Sequence, residues 1–186
     1  MSTEPLARAF ECTRTVLTGV GADQHGLQTP CESWNVADVI NHISAAARFG
    51  ASAVATGEGV PDEQDFAAGD ILAAYDETTA LALEAFGADG ALERTVDMPF
   101  GALPGAVLMR IIAGDQFMHG WDLARATGKS TELDSDFATE FIAFSSQMIQ
   151  PELRGPDGTA PFGPECEAPD GACPADVLAA FLGRTV

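Results

Sequence analysis

The fold is decided by the stretch Pro104-Gly-Ala-Val-Leu-Met-Arg-Ile-Ile-Ala-Gly-Asp115-Gln-Phe-Met-His119-Gly-Trp-Asp-Leu-Ala-Arg-Ala126. Its apolar residues recur at the spacing of one helix face. Pro104 suits the first turn of a helix, and Gly128, just beyond the run, suits its C-terminal end. The stretch therefore predicts one long helix over 104–126 whose apolar face lies in a protein core.

Ionisable side chains interrupt this apolar face. Asp115 lies at its centre, with His119 about 40° and Asp122 about 20° away on the helical wheel. A lone carboxylate buried there costs several kcal/mol unless it is paired or coordinated. On an earlier predicted helix, His42 flanks the apolar stripe, about 60° from Val39. Two core helices thus place ionisable groups on or beside a buried face.

His42, Asp115 and His119 form the candidate metal site. Two imidazoles and a carboxylate are a common ligand set for a divalent transition metal. The chain has only three histidines, and the third, His25, lies in a polar loop where it is predicted to be solvated. A second interpretation has no metal: Asp115 and His119 then form a pair within one helix, and His42 is a core histidine bonded to a carbonyl.

The rest of the chain predicts an all-α fold. Asn35 is a good N-cap for the helix that carries His42, and Asp38 completes a capping box. We expect a single helical domain over 1–186, with a bundle core at about 5–150 and a loop-rich tail with a short helix at 151–186. The predicted helices cover 5–20, 35–56, 65–86, 104–126, 135–149 and 175–182, with a short extended piece at 95–100 and a loop at 154–174.

Composition excludes several classes of partner. The formal charge is −19, from 9 basic and 28 acidic residues, which argues against nucleic acid and against anionic membranes. No apolar run has the length of a spanning helix, and the N-terminus lacks the pattern of a signal peptide, so a cytoplasmic location is expected. The four cysteines form no CxxC pair and are expected to be free thiols, although Cys166 and Cys173 are close enough in sequence to bridge under oxidation.

Three segments resemble the DinB-like metal-binding family, in the branch related to the N-terminal domain of mycothiol-dependent maleylpyruvate isomerase. The resemblance covers nearly the whole chain, and the run that follows His119 is its most specific part. The segments are Thr29-Pro-Cys-Glu-Ser-Trp-Asn-Val-Ala-Asp-Val-Ile-Asn-His42, Asp115-Gln-Phe-Met-His119-Gly-Trp-Asp-Leu-Ala-Arg-Ala-Thr-Gly128 and the tail from Phe162 to Arg184.

The resemblance implies a DinB-like four-helix bundle with short additional helices and a three-residue metal site at one end. The family's ligand positions correspond to His42, Asp115 and His119 in this sequence. The isomerase has glutamate where this chain has Asp115, so the metal distance or the metal itself can differ. Zn²⁺ is the first expectation, and Ni²⁺ or Fe²⁺ are the alternatives.

The same resemblance implies a thiol-dependent metalloenzyme of the transferase or isomerase kind, with mycothiol as cosubstrate and a further small-molecule substrate. Asp122 matches an aspartate tied to use of the thiol and is the candidate catalytic residue, as base or as orienting group. Its alternative role is to accept a hydrogen bond from a ligand histidine or to cap a loop.

One departure from the isomerase matters. That enzyme has a further C-terminal domain that supplies a basic residue to the site, and residues 151–186 are too few to form it. Arg125, Arg154 and Arg184 are basic like that residue, but their residue type is the only reason to consider them as substitutes. The alternative function is therefore a non-catalytic, metal-dependent module that binds a small molecule or a protein. An acidic bundle of this kind can also form a homodimer through a helix face.

Overall fold

The structure is a computed structural model that describes residues 2–99, 101–156 and 158–186. Within these ranges the fold is mostly helical, with one two-stranded hairpin. None of the described helices is long and apolar enough to cross a membrane. The elements are α1 (Glu4–Leu17), α2 (Val36–Thr56), α3 (Ile71–Gly87), β1 (Thr95–Met98), β2 (Gly101–Pro104), α4 (Gly105–Ala126), α5 (Ser135–Met148) and α6 (Pro174–Phe181), with three short 3₁₀ turns between them.

The start of α2 follows the sequence closely. Asn35 accepts a hydrogen bond from the backbone N–H of Asp38 at 3.0 Å, and Asp38 accepts one from the backbone N–H of Asn35 at 2.9 Å. The helix ends where Gly57 takes a left-handed conformation with φ of 95°. The predicted capping box and the predicted end of this helix are both confirmed, because each depends on local sequence.

The hairpin corrects the all-α prediction. The chain turns back after Met98, and β1 pairs with β2 in antiparallel register, Thr95 opposite Pro104. Proline blocks a helix here, so the extended backbone on either side finds hydrogen-bond partners across the turn. Pro104 is consequently the N-cap of α4 and not a residue of its first turn. The predicted extended piece includes Phe100, which lies outside the described residues.

Helix α4 is fixed in rotation by one buried amide. Gln116 donates to the carbonyl of Ile43 on α2 at 2.7 Å and accepts from the hydroxyl of Tyr75 on α3 at 2.7 Å. The hydroxyl of Thr13 on α1 donates to the backbone carbonyl of Gln116, also at 2.7 Å. Since Asp115 is the preceding residue, the same bonds decide which way the candidate ligands of α4 point.

The tail after α5 folds back over the end of α4. Arg154 donates to the carbonyls of Gly163 and Phe181, at 3.1 and 2.8 Å, and so joins the loop to α6. Gly183 has a φ of 93°, and a Cβ there would lie 2.5 Å from the Cα of Gly163. Only glycine fits this crossing of two backbones, which delivers Arg184 to the buried end of α4. Cys166 and Cys173 are free thiols in the same region.

An ion pair with a capping role joins α1 to α5. Arg8 donates to both carboxylate oxygens of Asp134, at 2.7 and 3.0 Å, and Asp134 also accepts from the backbone N–H of Phe137 at 2.9 Å. Replacing Asp134 with alanine is expected to lower the free energy of unfolding by about 2 kcal/mol at neutral pH, through loss of the cap and of the paired charge. The exposed Asp136 of the same helix turn provides the control, Asp136→Ala.

The pH dependence of this effect has a definite sign. The hydrogen bond from Arg8 lowers the pKa of Asp134 below its usual value of 3.8. A lowered folded-state pKa contributes stability that is present above 3.8 and is lost as the pH falls through the folded-state value. In urea denaturation, the difference in the free energy of unfolding between wild type and Asp134→Ala should therefore become smaller as the pH falls below 3.8. A difference that stays constant would contradict the ion pair.

Candidate metal centre

The three candidate ligands come together where α2 crosses α4. His42 comes from α2, and Asp115 and His119 lie one turn apart on α4. One ligand atom from each lies within 4.8 Å of the others. Asp115 Oδ1 is 2.9 Å from His42 Nε2 and 3.6 Å from His119 Nε2. Ligands around tetrahedral zinc are about 3.3 Å apart, given bonds of about 2.0 Å, so these separations bracket the required value.

The donor set fits a divalent transition metal. Asp115 Oδ2 is buried and has no hydrogen-bond partner among the described residues. Such an orphaned oxygen is costly in a folded protein unless an ion or a water satisfies it. The side chains of Asp115 and His42 are 26% and 31% exposed, so one side of the cluster remains open. Two imidazole nitrogens and a carboxylate with an open side are typical of metal sites that do chemistry.

Electrostatics couple His42 to Asp115. Burial lowers the pKa of His42, but the charge of Asp115 and their hydrogen bond outweigh it, so the pKa is raised. Burial raises the pKa of Asp115, but His42 and His119 outweigh it, so this pKa is lowered. The pair therefore favours a charged imidazolium beside a carboxylate when no ion is bound.

Asp122 lies behind His119 and not in the open side of the cluster. It is fully buried, and it lies 3.0 Å from His119 Nδ1 and 3.1 Å from Arg184 Nη2. Burial raises the pKa of Asp122, but Arg184 and His119 outweigh it and lower it. An ionised Asp122 accepts a hydrogen bond from the Nδ1–H of His119, and this tautomer leaves the Nε2 lone pair facing Asp115. This geometry favours the alternative role for Asp122, an acceptor that orients a ligand histidine.

The sequence made Arg184 a candidate only because it is a basic residue, and the structure places it at the site. Its side chain is 13% exposed and reaches Asp122 because the tail crosses back at Gly183. The two other arginines considered lie elsewhere: Arg154 holds the tail together and Arg125 is exposed. No local pattern signals Arg184, since its position depends on the path of the whole tail.

Trp34 covers one side of the histidines. Its ring centroid is 4.5 Å from that of His42 and 5.2 Å from that of His119. The residue directly precedes the cap of α2, where sequence alone favours packing against that helix. In the structure it packs on the imidazoles and limits their freedom to turn.

A cavity of about 800 Å³ with a mixed polar and apolar lining, called the polar cavity below, opens onto the cluster. Its floor carries His42, Asp115 and His119, and its walls come from the loop at 29–34 and, in the tail, from residues 156, 158–164 and 182–185. This volume lies within the range of small-molecule sites. Its polar wall residues are Thr29, Cys31, Glu32, Ser33, Arg184 and Thr185.

Related proteins match most of the chain. Residues 6–124 match the family of the mycothiol maleylpyruvate isomerase N-terminal domain. Two uncharacterized proteins of Mycobacterium tuberculosis, one from strain CDC 1551/Oshkosh and one from strain ATCC 25618/H37Rv, are each 38% identical over 179 residues. The match covers 96% of this chain and 95% of each of theirs.

Solved structures share the fold. A crystal structure of the mycothiol-dependent maleylpyruvate isomerase aligns with a TM-score of 0.52 at 17% identity, and a histidine-to-alanine mutant of that isomerase aligns with 0.50 at 18%. Each alignment covers 64% of this chain and 59% of the isomerase, so the chain spans about three fifths of that enzyme. The match over 6–124 and the common fold show that this chain belongs to the family of the mycothiol maleylpyruvate isomerase N-terminal domain.

Proposed function

We propose that the protein is a divalent-metal-binding enzyme that uses a low-molecular-weight thiol of the mycothiol kind in a transferase or isomerase reaction. One observation carries the proposal: at the floor of a cavity, Asp115 places Oδ1 between two imidazoles, 2.9 Å from His42 Nε2 and 3.6 Å from His119 Nε2, while its buried Oδ2 has no hydrogen-bond partner among the described residues. Family membership supports the thiol, because the isomerase of this family is named for its dependence on mycothiol.

His42, Asp115 and His119 would hold the ion, with Zn²⁺ as the first candidate and Ni²⁺ or Fe²⁺ as alternatives. The ion supplies a Lewis acid that lowers the pKa of a thiol or water beside it. We also infer that α1 to α4 form the four-helix bundle typical of the family, so that both helices that carry ligands are core elements.

The chain's own side chains prepare the cavity for a hydrophilic thiol. Arg184, which is paired with Asp122, lines a wall of the cavity together with Thr185. Asp122 keeps His119 in one orientation, and Trp34 keeps bulk water from one side of the imidazoles. These residues bind and orient; the open side of the cluster is where the thiol and its reaction partner would meet.

Metal content and turnover test the proposal together. Protein purified without a chelating tag is expected to hold about one equivalent of metal, to lose it in His42→Ala and to keep it in His25→Ala, since His25 is not in the cluster. Turnover of mycothiol with an array of electrophiles should fall at least a hundredfold in His42→Ala, but not in His25→Ala.

Two outcomes would contradict the proposal in different ways. One equivalent of metal without thiol-dependent turnover above the level of His42→Ala would favour the non-catalytic binding module. Wild-type protein that neither contains metal nor takes up added zinc would remove the metal site itself.

A further inference from the structure

A second cavity of about 330 Å³ lies further along the groove between α2 and α4. Its walls are carbon-rich, in contrast to those of the polar cavity. His42 and Asp115 line both cavities, so the candidate metal centre lies at their junction. The apolar wall residues are Ala45, Ala46, Phe49, Pro61, Ile111 and Ile112.

We propose that this apolar cavity binds an uncharged, apolar group of the second substrate, the electrophile that meets the thiol at the metal centre. The inference rests on the proposed function and deepens it by naming the substrate class. A group seated against Ile111 and Ala46 reaches His42 and Asp115 directly, because all four residues line the same space. The thiol, in the polar cavity, approaches those two residues from the other side.

Charge disfavours an anionic group against the apolar walls of this cavity. Among the described residues that line the apolar cavity, the charged groups other than His42 are the carboxylates of Asp62 and Asp115. The nearby Arg48 is turned to Asp62 at 3.0 Å and to Gln64 at 3.2 Å, so it is already neutralised at the rim. An anionic group seated against the apolar walls and away from the metal centre would lose its hydration without gaining a partner there, whereas an apolar group gains from leaving water.

The cavity is small and its walls are held in place. Its volume is at the low end of the range for small-molecule sites, which fits a single ring or a short chain. The ring of Phe49 packs directly on Gly59, where a Cβ would collide with it. Glycine at this position lets the loop after α2 pack against the ring of Phe49 and so supports this wall.

Ligand-observed ¹⁹F NMR with two matched probes tests the inference. Trifluoromethylbenzene is neutral, and 4-(trifluoromethyl)benzoate has the same body with a carboxylate. The neutral probe is expected to bind at least tenfold more tightly. Ala46→Leu and, as a second variant, Ala45→Leu should each weaken its binding at least tenfold by filling the cavity, while Ala55→Leu, exposed on the same helix, should not.

The measurement needs neither metal nor thiol, so it separates this inference from the proposed function. Binding of the neutral probe by metal-free protein, lost in the two cavity-filling variants, would support the apolar cavity even if thiol-dependent turnover were absent. Equal or tighter binding of the benzoate, or full binding by folded Ala46→Leu and Ala45→Leu, would overturn it.

Discussion

Replacing Arg184 with methionine is expected to lower the free energy of unfolding by about 3 to 5 kcal/mol, the range seen when one partner of a buried ion pair is removed. Asp122 is fully buried, and Arg184 contacts both of its carboxylate oxygens, at 3.1 and 3.4 Å. Without the guanidinium, the only side-chain partner that the described residues leave to the carboxylate is the Nδ1–H of His119. Urea denaturation of metal-free protein measures the loss.

A double variant separates the buried charge from simple packing. Arg184→Met with Asp122→Leu removes both charges, and most of the lost stability should return because no carboxylate is left unpaired. Its metal affinity should nevertheless stay about 10- to 100-fold below wild type, since His119 has lost the acceptor that orients it. An effect of Arg184→Met below about 1 kcal/mol would show the pair to be energetically unimportant.

Changing Asp115 to asparagine is expected to weaken metal binding by about a hundredfold or more. Structural zinc sites gain about 10 to 16 kcal/mol from four ligands, so loss of one charged ligand corresponds to several kcal/mol. Asparagine keeps the size and shape of the side chain but removes the negative charge between His42 and His119. Competition with a chromophoric chelator measures the change in affinity.

Two matched carboxylates give this experiment its controls. Asp122→Asn should reduce affinity only about 10- to 100-fold, because Asp122 acts through His119 and does not itself belong to the cluster. Asp62→Asn, at the rim of the apolar cavity, should leave affinity unchanged. Equal losses for Asp115→Asn and Asp62→Asn would indicate a general effect of charge and would remove Asp115 as a ligand.

The helices that carry the candidate ligands could be predicted from sequence because their signals are local. Asn35 and Asp38 fix the start of α2, and the apolar period together with Gly128 fixes the extent of α4. The proximity of His42 to Asp115 and His119 could be predicted from the scarcity of histidines and from the family resemblance. The hairpin was missed because strand pairing depends on contacts between separate segments.

The surroundings of the cluster could not be predicted in the same way. Arg184 reaches Asp122 only because the backbones of Gly163 and Gly183 cross in the tail, far along the chain from α4. The apolar cavity lies between two helices, so it depends on how they pack together and not on the sequence of either helix alone. The sequence around Trp34 does not distinguish packing of this side chain on its own helix from packing on the imidazoles.

The buried amide of Gln116 has a consequence for how an ion enters and leaves. Its bonds to Ile43 and Tyr75, with that from Thr13, hold α4 to three other helices. Rotation of α4 would break all of these bonds at once, so it is too costly to serve as a route of exchange. In the proposed metal centre, the rate of exchange would therefore be set on the side of α2, by rotation of the partly exposed imidazole of His42 and of the Trp34 indole that covers it.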